Sequence, residues 1–252
     1  MKSGKIICVI GGTSGIGKAI AHGFVRNGDT VIVSGRDYGK LTKTFDELKS
    51  AGNFTDIKQE CDVRKKSSLE KLCNKIISNH KKIDVLVVSS GIHKKQKALD
   101  MSLKDWKEII DLNLTGTFLA DQVFGKVMVK KKKGCIINIG SLASFVALTD
   151  VSAYSASKGG VVMLTKSLAV EWAKKGVRVN AIIPGVVRTE LNKKALQDPK
   201  RLNNIIGNTP MGRLGDANEI VSTALYLGNS ASSFVTGACI PVDGGFLAWA
   251  GF

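Results

Sequence analysis

The chain has 252 residues, 44% of them hydrophobic, which suits one α/β domain with a full core. No apolar run approaches a membrane span, and the N-terminus Met1-Lys-Ser-Gly-Lys-Ile-Ile lacks the apolar core and cleavage site of a signal peptide, so a soluble, cytoplasmic protein with no membrane partner is expected. The net charge of +16 raises nucleic acid as a partner, but the lysines are spread over many helices and no aromatic residues interleave with the run 130–133, so none is expected.

Strand-like and helix-like stretches alternate along the chain. Residues 5–10 are a short apolar run, and the glycines after them open a helical pattern through about residue 27. Residues 30–34 are β-branched and apolar, 37–51 read as an amphipathic helix, 57–61 as a weaker strand and 66–80 as a helix. Residues 85–88 are a buried-strand candidate, Ser102 can cap a long helix running from about 103 toward 129, and 135–139 is another buried run. Residues 153–175 read as a long helix, 177–183 as a strand stopped by Pro184-Gly185, 217–227 as a helix and 239–242 as a last strand. The stretch 188–214 is polar and irregular and is expected to serve as a substrate lid. This alternation predicts a parallel sheet with helices on both faces, in one doubly wound, Rossmann-like α/β domain over residues 1–252.

Five scattered cysteines (Cys8, Cys61, Cys73, Cys135, Cys239) without a C-x-x-C pair read as reduced, mostly buried thiols. His22, His80 and His93 lack ligand spacing, so no metal is expected.

The turn Gly11-Gly-Thr-Ser-Gly-Ile-Gly17 lies directly after the first strand and opens the first helix. Gly11 permits a tight turn, while Gly15 and Gly17 let the backbone approach a pyrophosphate and the helix approach the sheet. Gly11, Thr13, Ser14, Gly15, Ile16 and Gly17 are therefore expected to hold a dinucleotide. The second strand ends in Ser34-Gly35-Arg36, without the acid that would bind a ribose diol. Arg36 offers a planar, charged fork for a 2′-phosphate, which favours NADP over NAD, although Asp37 beside it works the other way. Asp62, followed by Val63, is placed to meet an adenine edge or to cap the next helix.

Tyr154 and Lys158 stand four residues apart, on one helical face. A phenol titrates near pH ~10, and a nearby ammonium favours the phenolate and draws it toward working pH. A hydroxyl from Ser141 could hold a substrate oxygen. Taken alone, a tyrosine four residues before a lysine is commonly a solvated helix pair, and that reading prevails unless other residues agree.

With these residues in hand, the sequence resembles the short-chain dehydrogenase/reductase superfamily over nearly its whole length. The motifs are the glycine turn, Asp62-Val63, Asn113 in Asn-Leu-Thr-Gly, Ser141 in Asn-Ile-Gly-Ser, Tyr154-x-x-x-Lys158, Pro184-Gly185 with Thr189, and Val242-Asp-Gly-Gly. The resemblance implies hydride transfer between a nicotinamide and a carbonyl or secondary alcohol. It implies Tyr154 as acid–base, Lys158 as its activator and a ribose contact, Ser141 orienting the substrate oxygen, and Asn113 holding a water between Lys158 and solvent. It implies that Gly91, Pro184, Gly185, Val187 and Thr189 meet the cofactor, and that the chain forms a homotetramer through its long helices and last strand. Two departures stand out: Ile10 where the family commonly has Thr, and Val88-Ser89-Ser90-Gly91 where it commonly has Asn-Asn-Ala-Gly. Ser89 and Ser90 are expected to replace part of the lost tie between strands by hydrogen bonding.

Several stretches further resemble the gluconate 5-dehydrogenase and sugar-acid dehydrogenase branch, among them Ser34-Gly-Arg-Asp, Ile137-Asn-Ile-Gly-Ser-Leu142 and Thr209-Pro-Met-Gly-Arg213. That implies a small, anionic keto sugar acid as substrate. Lys94 and Lys95 then either attract its carboxylate or stand as solvated loop lysines. His93 reads as a loop residue rather than a second proton donor. Reduction of a 3-oxoacyl group on an acidic acyl carrier protein and a nucleotide-binding scaffold are the rival readings. The apolar tail 246–252 packs on a neighbouring subunit, closes the substrate pocket or joins the core.

Overall fold

In the computed structural model, which describes residues 4–51, 57–190, 192–193 and 195–249, six largely apolar stretches pair in parallel. They are β1 (Ile6–Ile10), β2 (Thr30–Ser34), β3 (Val85–Val88), β4 (Gly134–Ile139), β5 (Val177–Pro184) and β6 (Cys239–Val242), in spatial order β2-β1-β3-β4-β5-β6. The helices are α1 (Gly15–Arg26), α2 (Tyr38–Ala51), α3 (Lys66–His80), α4 (Leu103–Ile110), α5 (Gly116–Lys131), α6 (Ser152–Trp172), α7 (Pro199–Gly207) and α8 (Val221–Leu227). Side chains alternate across each strand, so one sequence run feeds two apolar layers. Cys8, Ile10, Leu86 and Ile136 face α3, α5 and α6 through Leu72, Phe124 and Leu168. Val9, Val31, Val87 and Ile137 face α1, α2 and α8 through Phe24, Leu41 and Leu227. This is the expected α/β architecture, with helices on both faces of the sheet. Among the described residues no helix is long and apolar enough to cross a membrane. All five cysteines are free thiols, and all but Cys239 are buried.

Four expectations need correction. Residues 57–61 are not a strand: they run past the end of β2, where Cys61 N–H donates to the Gly35 carbonyl at 3.0 Å and Ser34 Oγ donates to the Gln59 carbonyl at 2.8 Å. The helix from Ser102 is capped as expected, with Ser102 Oγ accepting from Asp105 N–H at 3.1 Å. It reaches residue 131, but through a π turn over Asp111–Thr115. The Thr117 hydroxyl takes up the Asn113 carbonyl there at 2.7 Å. The stretch 188–214 is not irregular throughout, because Asp198 caps α7 and Pro199 supplies its first residue, a start signal that the polar composition masks. Residues 217–227 begin as a 3₁₀ turn over Ala217–Ile220 and become α-helical only at Val221.

Chain order reverses between β1 and β3, the switch point at which open parallel sheets hold ligands. The glycine turn after β1, residues 89–91 after β3, Ser141 after β4 and Pro184-Gly185 at the end of β5 all converge on that edge.

Candidate active site

At the switch point the backbone is shaped for close approach. Gly11 has φ +78° and Gly15 φ +50°, a region in which glycine carries no Cβ penalty. A Cβ on Gly17 would overlap the Gly11 carbonyl and lie 3.0 Å from Ser89 Cβ, so α1 packs directly on the turn. Ser14, at the N-cap, makes no side-chain cap bond, which leaves the first amides of α1 for an anion. Gly11, Ser14, Gly15 and Ile16 line one end of a cavity of about 1070 Å³, together with Ser89 and Gly91. Thr13 and Gly17 sit behind that wall. The Thr13 carbonyl accepts the Thr44 hydroxyl at 3.4 Å, and Gly17 is buried.

The adenine side differs from the sequence reading. Arg36 is exposed beyond the cavity wall, whereas Lys40 on α2 lines it. Both Asp62 carboxylate oxygens are engaged by Arg64, at 3.0 Å from Nε and 2.6 Å from Nη2. The guanidinium holds the Asp62 carboxyl below its usual range. The N-cap of α3 is Lys65, not Asp62, and Val63 is a buried core residue. The tie between β1 and β3 is made by backbone alone, with Ser89 N–H donating to the Ile10 carbonyl at 2.9 Å. Among the described residues neither Ser89 nor Ser90 forms a side-chain hydrogen bond, so the expected hydroxyl replacement does not occur.

The middle of the cavity gathers Ser141, Tyr154 and Lys158. Ser141 starts the turn after β4 and accepts Ala143 N–H at 3.2 Å, while Ser144 Oγ donates to the Lys158 carbonyl at 2.9 Å and ties that turn to α6. The four-residue spacing does place Tyr154 and Lys158 together, with Lys158 Nζ 5.9 Å from the phenol ring centre. The ammonium, however, donates to the Ile139 carbonyl at 2.7 Å. Burial pulls Lys158 down to about 8. Burial pushes the Tyr154 phenol up and outweighs a hydrogen bond with Ser141. The expected lowering of the phenol is therefore not realised in this state: desolvation is the largest influence, and the amine points at a backbone oxygen.

Asn113, on the π turn, does not line the cavity but braces it from behind. Its Nδ2 donates to the Ile92 carbonyl at 2.9 Å and to Ser157 Oγ at 3.0 Å, and its Oδ1 accepts Ile92 N–H at 2.9 Å. A Cβ on Gly91 would lie 3.5 Å from Asn113 Oδ1 and 3.6 Å from Lys158 Nζ, so the three meet around one small space. Ser144 and Ser157 were missed in the sequence because serine near a helix start has no distinctive spacing.

Pro184, Gly185, Val187 and Thr189 also line the cavity, with Thr189 beside the glycine turn (a Cβ on Gly15 would lie 3.4 Å from its Cγ2), and groups from α7 and the loop after β3 complete the wall. Asn192 pins the Val187–Thr189 loop, donating to the Val187 carbonyl at 2.7 Å and accepting Thr189 N–H at 3.0 Å. Lys94 and Lys95 separate here. Lys94 is held by Asp105 at 2.6 Å and Glu108 at 2.8 Å, outside the cavity. Lys95 lines it, 3.6 Å from Asp150, and Lys200 and Arg201 of α7 join it. The His93 ring meets Tyr154 edge-on at 5.9 Å. Phe246 closes the wall, as one of the three readings of the tail expected, while residues 250–252 lie outside the described residues.

Comparison with known proteins agrees with this geometry. A family model described as Enoyl-(Acyl carrier protein) reductase matches residues 11–247. The chain is 36% identical to 2-dehydro-3-deoxy-D-gluconate 5-dehydrogenase of Formosa agariphila, over 98% of this chain and 94% of that protein. It is 35% identical to galactitol 2-dehydrogenase (L-tagatose-forming) of Cereibacter sphaeroides, over 98% and 96%. A crystal structure from Beutenbergia cavernae, described as an NAD(P)-dependent gluconate 5-dehydrogenase with NADP bound at low occupancy, superposes with a TM-score of 0.92 at 34% identity, covering 98% of each chain.

Proposed function

The chain belongs to the short-chain dehydrogenase/reductase family, whose members include dehydrogenases acting on CH–OH groups, and on that premise we propose that it transfers a hydride between NADP and a small keto sugar acid. The observation that carries the reading is the meeting of Ser141, Tyr154 and Lys158 in one cavity with the glycine turn.

The residues fit a dinucleotide. The Gly11 to Gly17 turn and the open amides of α1 suit its pyrophosphate, and Lys40 with Arg36 suits a 2′-phosphate. Thr189 and the Val187 backbone suit the nicotinamide amide. When bound, the cofactor supplies the hydride. In reduction Ser141 Oγ holds the carbonyl oxygen and the neutral phenol of Tyr154 gives it a proton. The raised phenol pKa suits this direction, because the acid form persists at neutral pH. Lys158 steadies the phenolate so formed, and the space beside Gly91 suits a water between Lys158 and Asn113. His93, edge-on to the phenol, shields it from solvent rather than donating a second proton.

An anionic substrate is supported by Lys95, Lys200 and Arg201, which line the cavity. Lys200 and Arg201 belong to α7, within the stretch 188–214 that serves as the lid, and Lys95 faces it from the loop after β3. Exposed Trp106, Phe118 and Met163 on α4, α5 and α6 support a homotetramer built through these helices, which light scattering would read directly.

A second reading, reduction of a 3-oxoacyl group on an acyl carrier protein, has its own support: the chain is 34% identical to a 3-oxoacyl-[acyl-carrier-protein] reductase of Aquifex aeolicus over 96% of this chain and 97% of that protein, and a basic surface suits an acidic carrier. Purified protein with NADPH or NADH, offered 5-keto-gluconate, a neutral ketose and a 3-oxoacyl thioester, separates the two. The sugar-acid reading expects turnover of 5-keto-gluconate with NADPH preferred, and turnover of the thioester alone overturns it.

A further inference from the structure

Below the cavity, between the sheet and two helices, lies an acid that the proposed chemistry does not use. Asp121 on α5 and Asn138 on β4 are both fully buried, at 0% exposure. Asn138 Nδ2 donates to Asp121 Oδ2 at 2.9 Å and to Thr165 Oγ1 at 3.1 Å. The Thr165 hydroxyl then donates to the Val161 carbonyl at 2.8 Å. Two buried oxygens remain without partners, Asp121 Oδ1 and Asn138 Oδ1.

Both are acceptors if Asp121 is ionised, and each would then carry the cost of an unmade bond, on top of a charge in an apolar layer. Among the described residues no lysine, arginine or histidine forms an ion pair with Asp121. The other titratable groups on the elements around it are the buried Cys73 on α3, Cys135 on β4 and Lys158 on α6, and the half-buried Tyr154 on α6. None of these is a hydrogen-bond partner of Asp121, and the Lys158 ammonium is given to the Ile139 carbonyl. One proton accounts for both orphaned atoms. A carboxylic acid presents a donor and an acceptor side by side, the complement of a carboxamide.

We infer that Asp121 is a neutral carboxylic acid locked to Asn138 in a cyclic acid–amide pair, and that this pair positions Lys158. Asn138 precedes Ile139, whose carbonyl holds Lys158 Nζ, and Thr165 follows Lys158 by seven residues on the same side of α6. The pair therefore fixes α5, β4 and α6 to one another next to the lysine's anchor. The positioning half rests on the role proposed for Lys158; the protonation half does not. Burial raises the Asp121 carboxyl to about 8, in keeping with a proton held at neutrality.

The test follows from linkage. In the unfolded chain the carboxyl ionises near its ordinary 3.8, but in the folded chain only near 8. Asp121 thus makes stability fall as pH rises from about 4 to about 8, with no further loss above that. Asp121→Asn keeps both bonds as an amide–amide pair and removes the titration. The full-length variant is expected to gain in melting temperature over wild type progressively across that window, with the gain level above it. An infrared band of a protonated carboxyl, present in wild type at pH 7, is expected to vanish in the variant. A constant melting difference from pH 5 to 8 without that band overturns the protonated pair. For positioning, Asp121→Ala is expected to lower kcat by about tenfold or more, with Asp121→Asn restoring it. An equal loss in the Asn and Ala variants, or no loss in either, refutes that half. A wild type without turnover on any offered ketone overturns the positioning half along with the proposed function and leaves the melting and infrared results decisive for the protonated pair.

Discussion

Replacing Gly17 by alanine adds one methyl group where α1 meets the turn after β1. The new Cβ would overlap the Gly11 carbonyl and sit 3.0 Å from both the Gly11 carbonyl carbon and Ser89 Cβ. Two of these neighbours are backbone, so no side chain can rotate away, and the helix must lift from the turn. Overpacking of this kind costs about 1–3 kcal/mol, and rigid neighbours put Gly17→Ala in the upper half of that range. For a chain of this size that is a fall in Tm of about 4–12 °C. The same lift withdraws the α1 amides from an anion, and a loss of about 1.4 kcal/mol there is tenfold in Kd. Thermal unfolding by circular dichroism and NADPH titration by fluorescence read the two effects. Gly207→Ala is the control, because its Cβ meets nothing within 4 Å. It is expected to melt at or slightly above the wild-type temperature. A Gly17→Ala protein with wild-type Tm and wild-type NADPH affinity would show that α1 does not need to lie against the turn.

Arg201→Gln is expected to raise KM for a keto sugar acid about tenfold or more, the worth of a charge-assisted hydrogen bond, with KM for a neutral ketose unchanged. Equal effects on both substrates would count against an anion contact. Lys95→Ala should behave like Arg201→Gln, and Lys94→Ala should not, since Asp105 and Glu108 already hold Lys94; steady-state kinetics on the same acid compares them. Lys158 titrates at about 8, depressed from 10.5, so it is a cation below that pH and neutral above it. Carbonyl reduction should fall as pH rises through about 8, and a rate flat to pH 10 would contradict a role for the ammonium. Arg36→Ala and Lys40→Ala should each weaken NADPH more than NADH, as measured by the ratio of the two Kd values.

Much of this site is legible in sequence because it is local. The glycine turn sits between a strand and a helix that hydrophobic periodicity reveals, and Tyr154 and Lys158 share a face by spacing alone. What periodicity cannot show is competition for a partner. Lys94 and Lys95 are adjacent in sequence, yet α4 offers Asp105 and Glu108 to only one of them. Residues 57–61 fall where the alternation calls for a strand, but only Ile57 and Cys61 among them are apolar, and they run past the end of β2 without joining the sheet. The π turn at Asn113 leaves no mark in a helical pattern that continues on both sides. Asp121 and Asn138 stand 17 residues apart on consecutive elements, a separation that no helical or strand period links, and an isolated aspartate in a predicted helix reads as a solvated one until the fold buries it.

On the proposed mechanism the Tyr154 hydroxyl moves the proton that accompanies hydride transfer. Single-turnover oxidation of bound NADPH by the best ketone, compared between wild type and Tyr154→Phe, tests it most directly. The expected outcome is a rate lower by about 10²–10⁴ with NADPH affinity preserved. A Tyr154→Phe protein that oxidises NADPH at the wild-type rate would contradict it.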